Sequence, residues 1–245
     1  MMPENIIYII LLATGASFVQ RTVGFGFGIF IMTALPFLMP SYGEAVTLSG
    51  LLSLTSATVV MVKYMKFVSW KRLLPVVAAF VIFSTLATAM LDKIEGPSIR
   101  VILGIMLVVI SLYFSFFKEK LQKIITPTRG WQLGTGTASG LMGGFFGMHG
   151  PPVVLYLIAS EPDKDHYMGM IQTYAVITNI TMLAVRAYNG YVTPYVGTAY
   201  LYALGGLVIG VLAGNWAFNR IPNRLFTYIV YTYIAISGAI ILLTA

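Results

Sequence analysis

Eight apolar segments, at about 5–39, 44–62, 73–91, 97–117, 130–160, 167–187, 196–218 and 221–244, fill the chain and are separated by short polar connections. A helix of about 20 apolar residues crosses the hydrocarbon core of a bilayer, so the pattern predicts an all-α polytopic membrane protein with roughly seven to ten crossings or half-crossings. The first and fifth segments are interrupted by glycine-rich runs, Gly24-Phe25-Gly26-Phe27-Gly28 and Gly143-Gly144-Phe145-Phe146-Gly147-Met148-His149-Gly150-Pro151-Pro152. As one helix the first segment would be about 52 Å long against a core of about 30 Å. It is therefore expected to break, either returning as a re-entrant hairpin or making two short crossings. Broken backbone is tolerated at membrane depth only where it is buried in protein or lines a watery cavity. A matched pair of breaks points to a binding site.

Setting Gly24 against Gly147 gives an offset of 123 residues, half of the 245-residue chain. The order of segments then reads as two repeats, 1–122 and 123–245, each opening with a broken or re-entrant helix pair followed by about three transmembrane helices. If each broken segment returns to the side it left, each repeat makes an odd number of crossings and the two are inverted. Loop charge favours this arrangement. It puts Lys63, Lys66, Lys71, Arg72, Lys118, Lys120, Lys123, Arg129, Lys164, Arg220 and Arg224 on one side against Lys93, Arg100 and Arg186, a split of 11 to 3, where single crossings would give 9 to 5. Both termini are then expected outside.

Composition narrows the class. Hydrophobic residues make up 58% and charged residues 9% of the chain, against about 25% charged in a soluble domain, and no stretch is left for a separate soluble domain. The opening Met1-Met2-Pro3-Glu4 lacks a basic region and no cleavage site follows, so the first segment reads as retained. The net charge of +7 resides in short loops, which suits membrane orientation and not nucleic acid. With no cysteine there is no disulfide, thiolate metal site or thiol relay. No nucleophile motif, zinc-protease motif, phosphate loop or metal-ligand cluster is present, so no catalytic residue, metal or cofactor is expected.

Candidate chemistry gathers at the breaks. Arg21, beside Gln20 and three residues before the first break, is either a binding charge or a snorkelling one. At each break the restarting helix offers free N–H groups and the positive end of its dipole to an anion. Gly24, Gly26, Gly28, Gly147 and Gly150 allow close approach, and Pro151-Pro152 suit a helix's first turn. His149 can donate to an oxyanion and titrate near neutrality, or it is simply a hydrogen-bonded buried histidine. Gln172 and Asn179 lie with Thr173, Thr178 and Thr181 among apolar residues, and the corresponding segment of the first half carries Thr47, Ser49, Ser53, Thr55, Ser56 and Thr58. Such groups either pack helices or line a cavity. Glu44 and Arg186 sit at segment ends, where snorkelling or a local ion pair accounts for them, and His166 reads as a solvated surface residue.

The runs Gln20-Arg21-Thr22-Val23-Gly24-Phe25-Gly26-Phe27-Gly28 and Gly140-Leu141-Met142-Gly143 through Pro152 resemble the sulfite exporter TauE/SafE family, also called the 4-toluene sulfonate uptake permeases. The resemblance extends over essentially the whole chain. It implies a multi-pass carrier in a bacterial or archaeal plasma or inner membrane, moving sulfur-containing anions such as sulfite, sulfoacetate, thiosulfate or aryl sulfonates. The residues alone reach only a small anion. His149, Pro151 and Pro152 depart from the family's second motif, which has more glycine there. The leading expectation is a secondary carrier binding its anion near the midplane through Gln20, Arg21, His149, Gln172, Asn179 and the N–H groups after Gly28 and Gly150, with one half rocking against the other. An anion channel, a non-transporting membrane subunit and an intramembrane enzyme are the rivals, in that order. A homodimer is an allowed assembly, and proton coupling through His149, exchange and facilitated diffusion all stay open.

Overall fold

The long first segment does not continue as one helix. In the computed structural model, which describes residues 5–23, 25–94, 97–112, 124–161 and 163–218 with isolated positions beyond 231, helix α1 (Ile6–Val23) is 18 residues long. After the break come two short helices, α2 (Phe27–Ile31) and α3 (Leu35–Leu38). Gly26 stands at φ 97°, a conformation open to glycine because it has no Cβ. The chain then runs through α4 (Tyr42–Tyr64), a 3-10 turn (Met65–Phe67), α5 (Trp70–Ile94), α6 (Pro97–Leu112), α7 (Arg129–Phe146), α8 (Gly150–Ser160), α9 (Lys164–Tyr188) and α10 (Pro194–Phe218). Among the described residues there is no strand.

Each boundary has a local cause. Ser41 Oγ accepts the Glu44 N–H at 3.2 Å and so caps the start of α4. Asp163 accepts the Asp165 and His166 N–H groups, each at 3.0 Å, and its other oxygen meets the His166 ring at 2.9 Å. The His166 N–H and ring hold this exposed carboxyl below the usual carboxylate range. Helix α7 closes on Gly147 at φ 68°, with Gly147 N–H bonded to Gly143 O at 3.0 Å and Met148 N–H to Met142 O at 3.3 Å. The first of these bonds, at a left-handed glycine, is the αL ending of a helix.

Among the described residues four helices are long and apolar enough to cross a membrane: Tyr42–Phe67, Trp70–Met90, Asp165–Tyr188 and Pro194–Ala217. The helices beginning at 6, 27, 42 and 70 are followed by helices beginning at 129, 150, 164 and 194, an offset of 122 to 124 throughout. Helix α4 packs against α9, while α1 lies along α10 and α5 lies along α7. The last two pairs are glycine crossings. Gly206, Gly210 and Gly214 of α10 sit over the carbonyls of Ile10, Thr14 and Phe18, and Gly136, Gly140 and Gly144 of α7 sit over those of Val76, Phe80 and Ser84. Lipid tails are as apolar as leucine, so membrane helices associate through close contact of this kind.

Two expectations need correction. Arg186 does not snorkel: it is fully buried, and Glu44 is buried as well. Thr193 Oγ1 donates to Glu44 Oε1 at 2.6 Å, which supplies that carboxylate inside the protein. Arg186 therefore leaves the count of loop charges, because its side chain is fully buried. Gly24, Lys118, Lys120, Lys123, Arg220, Arg224 and the repeat junction at 122–123 lie outside the described residues, as does most of the segment 221–244.

The crossings make a direct test. Gly210→Ala puts a methyl into the Thr14 carbonyl and is expected to cost about 1–3 kcal/mol, read as a lower melting temperature in detergent. Gly205→Ala, where a Cβ meets nothing within 4 Å, is expected to leave the melting temperature unchanged or slightly raised.

Candidate functional site

The two breaks meet. A Cβ at Gly28 would lie 2.5 Å from the carbonyl oxygen of Gly147, so the first break touches the second backbone to backbone. Beside this contact is a cavity of about 40 Å³. Its wall is Gln20 of α1, Phe25 to Ile29 of the first break, Ser53 of α4, Gly147 to Gly150 of the second break, and Ile171, Gln172, Tyr174 and Ala175 of α9. A water-sized group needs about 10–15 Å³ on this measure, so the space admits roughly three such groups.

The donors at the two breaks are unequal. In α2 the N–H groups of Phe27, Gly28 and Ile29 have no carbonyl to bond within the helix, but five residues add up to little dipole. Helix α8 is longer, at 11 residues, and has more dipole to offer. Its second and third residues are Pro151 and Pro152, which have no N–H. The expectation of a row of N–H groups after Gly150 is corrected accordingly: the first break brings donors, and the second brings mainly the helix end and His149.

Side chains supply the rest. Gln20, Ser53, His149 and Gln172 are all buried in the cavity wall. Gln20 Oε1 and His149 Nδ1 have no hydrogen-bond partner among the described residues. A buried polar atom without a partner is costly, about 1–3 kcal/mol, and the Gln20 amide and the neutral imidazole can each turn a donor toward an acceptor in the cavity. The second break is tied down from behind: Tyr174 Oη donates to Ser139 Oγ at 2.7 Å, and Ser139 Oγ donates to the His149 carbonyl. The imidazole packs against the rings of Phe80 and Tyr174, each 5.8 Å away between centroids.

Of the residues singled out from sequence, Gln20, Gly26, Gly28, Gly147, His149, Gly150 and Gln172 come together on this one cavity. Gly24 lies outside the described residues. Asn179 stands one layer back, donating to Ser53 Oγ at 3.2 Å and to Ala175 O at 2.8 Å. Arg21 is placed elsewhere: its Nε donates to Asn215 Oδ1, and it lines a second cavity of about 310 Å³ with Lys63, Ser56 and several apolar residues. Gln20 and Gln172 belong to both linings, so they stand between the larger space and the smaller one. Ser53 was visible only as one hydroxyl of six on its segment, and Tyr174 carried no signal at all. Arg186 was underrated because its position at a segment end hides its burial.

Residues 9–241 match the model of the family described as Sulfite exporter TauE/SafE. Neither the curated proteins nor the solved structures contain a match.

The contact between the breaks can be tested by a pair of substitutions. Gly28→Ala is expected to lower stability by about 1–3 kcal/mol, since the atom it meets is backbone and cannot move aside. Gly150→Ala, where a Cβ meets nothing within 4 Å, is expected to melt within about 0.5 kcal/mol of the parent. Thermal melts of the two purified proteins compare them directly.

Proposed function

As the chain belongs to the sulfite exporter TauE/SafE family, we propose that it is a secondary carrier of a small sulfur oxyanion, held in the 40 Å³ cavity between the two breaks. One observation carries the reading. Two buried polar atoms without a hydrogen-bond partner among the described residues, Gln20 Oε1 and His149 Nδ1, stand with the first N–H groups of α2 around a small cavity. The protein is a multi-pass membrane protein, and we assign it to the plasma membrane of a bacterium or archaeon.

Sulfite, thiosulfate and the smallest sulfonates fit the cavity better than aryl sulfonates do. Three or four oxygens of an anion would be met by neutral donors, which bind without trapping: a cage of full charges would hold the ligand too tightly to release it. Arg21 and Lys63 on the larger cavity would gather anions by their field, and Gln20 and Gln172 would pass them inward. We further propose that residues 1–122 and 123–245 are inverted repeats, supported by the constant helix offset. Such repeats allow the cavity to open to either face in turn.

A thermal-shift screen on the purified protein tests the substrate class, because a ligand of the native state raises its melting temperature by mass action. Sulfite, thiosulfate and methanesulfonate are expected to stabilise it, and 4-toluenesulfonate is not. Gln20→Ala is expected to weaken binding about tenfold, the loss of one charge-assisted hydrogen bond. Arg21→Ala is expected to keep the affinity and slow uptake, more so at low ionic strength. In proteoliposomes, flux of the stabilising anion should saturate. Large unitary currents would instead favour a channel, and no flux under any gradient would favour a non-transporting subunit.

A further inference from the structure

Arg186 is the largest side chain with no exposure in the described part of the protein. Its Nη1 donates to Val46 O at 3.1 Å and its Nη2 to Gly143 O at 3.0 Å, while Nε has no partner. Among the described residues no carboxylate lies within 4 Å of it; the ion pairs there are Arg72 with Glu161 and Asp163 with His166. Among the described residues, ionisable groups near enough to interact with its charge are the phenols of Tyr42 and Tyr191 and the imidazole of His149. Gly50 of α4 leaves the space it fills, since a Cβ there would stand 3.3 Å from Nη1. A guanidinium sealed from water and answered only by carbonyl dipoles is expensive, and packing alone would be better served by a leucine or methionine.

Its position explains the expense. Gly143, whose carbonyl it holds, lies against His149, with 3.0 Å between a Cβ built there and the histidine Cβ. Val46, whose carbonyl it also holds, packs on Gly147. Both His149 and Gly147 are cavity wall, so Arg186 stands one layer behind the cavity and braces both sides of the second break. The carbonyl bonds satisfy N–H groups and leave the charge in place.

We propose that Arg186 is a specificity-determining residue: its fixed positive charge, acting through the wall without touching the ligand, sets how strongly the cavity prefers doubly over singly charged anions. This rests on the carrier reading above. In that reading the cavity side chains are neutral donors that recognise oxygens, and they discriminate poorly between anions of similar shape and different charge. A buried charge discriminates between them directly. A unit charge acting over roughly 10 Å at an effective permittivity of about 20 changes affinity by about tenfold for each charge on the ligand. Because the guanidinium does not reach the ligand, it adds this preference without adding a contact that must be broken for release.

The test is the ratio of affinities for thiosulfate and methanesulfonate, two tetrahedral sulfur anions of like size and charges of −2 and −1, measured calorimetrically on the purified full-length protein. Arg186→Gln is expected to cut the ratio by about tenfold, and Arg186→Lys to keep it within about threefold. Met182, whose Sδ is 3.9 Å from Nη2, allows an independent route. Met182→Glu sets a carboxylate beside Arg186 while leaving its carbonyl bonds available, and should lower the ratio as Arg186→Gln does. Met182→Gln should not. An unchanged ratio in folded Arg186→Gln or Met182→Glu would overturn the proposal, and so would an equal fall in Met182→Gln, which would mark a structural effect. Should Arg186→Gln fail to fold, Met182→Glu decides alone. Binding of neither anion by the parent protein would sink the carrier reading itself, a result distinct from binding with an insensitive ratio.

Discussion

Hydrocarbon offers no partner to a free N–H or C=O, and this one fact governs where the helices of this protein can stop. Helix α1 and helix α7 each end near a glycine in the left-handed region, Gly26 or Gly147. The polar groups released at those ends have to be shielded from lipid by protein. The arrangement adopted puts the two ends against each other, Gly28 on the Gly147 carbonyl, and wraps them with α4 and α9. The small cavity is what is left over where two short helices cannot fill the space that a continuous helix would.

The same constraint sorts the polar side chains. Ser17, Thr47 and Thr178 return their hydroxyls to carbonyls one turn earlier in their own helices, and so spend their polarity locally. Ser139 is different: it reaches across the break to the His149 carbonyl and takes a bond from Tyr174. Asn179 likewise leaves its helix to hold Ser53. Ser139 and Asn179, which bond outward in this way, hold residues of the cavity wall, His149 and Ser53.

Hydrophobic pattern and glycine placement make much of this legible in the sequence. Segment lengths foretold that the first and fifth segments would not be single helices, because a 35-residue apolar run exceeds any bilayer, and Pro151 announced the start of α8. Seven of the ten residues picked out for the site meet at one cavity. What was not legible is rotation about the helix axis. Gln20 and Arg21 are neighbours in sequence, yet about 100° of helical turn sends one to the small cavity and the other to Asn215. Arg186 misled for a related reason: its distance from the segment end allowed snorkelling, and only the packing of Gly50 and Met182 around it shows that it points inward. Tyr174 was invisible because a tyrosine in an apolar helix has many uses.

The glycine crossings carry a consequence for the unit that can move. Each joins a helix from before residue 122 to one from after it, α1 to α10 and α5 to α7, with carbonyls seated where a side chain would be. Parting the chain at its midpoint into two rigid blocks would tear both seams at once. Each seam is therefore stitched from both halves of the polypeptide, with α4 packed on α9 between them. Neither half of the chain keeps its closest packing to itself: α1 finds it on α10, α5 on α7 and α4 on α9.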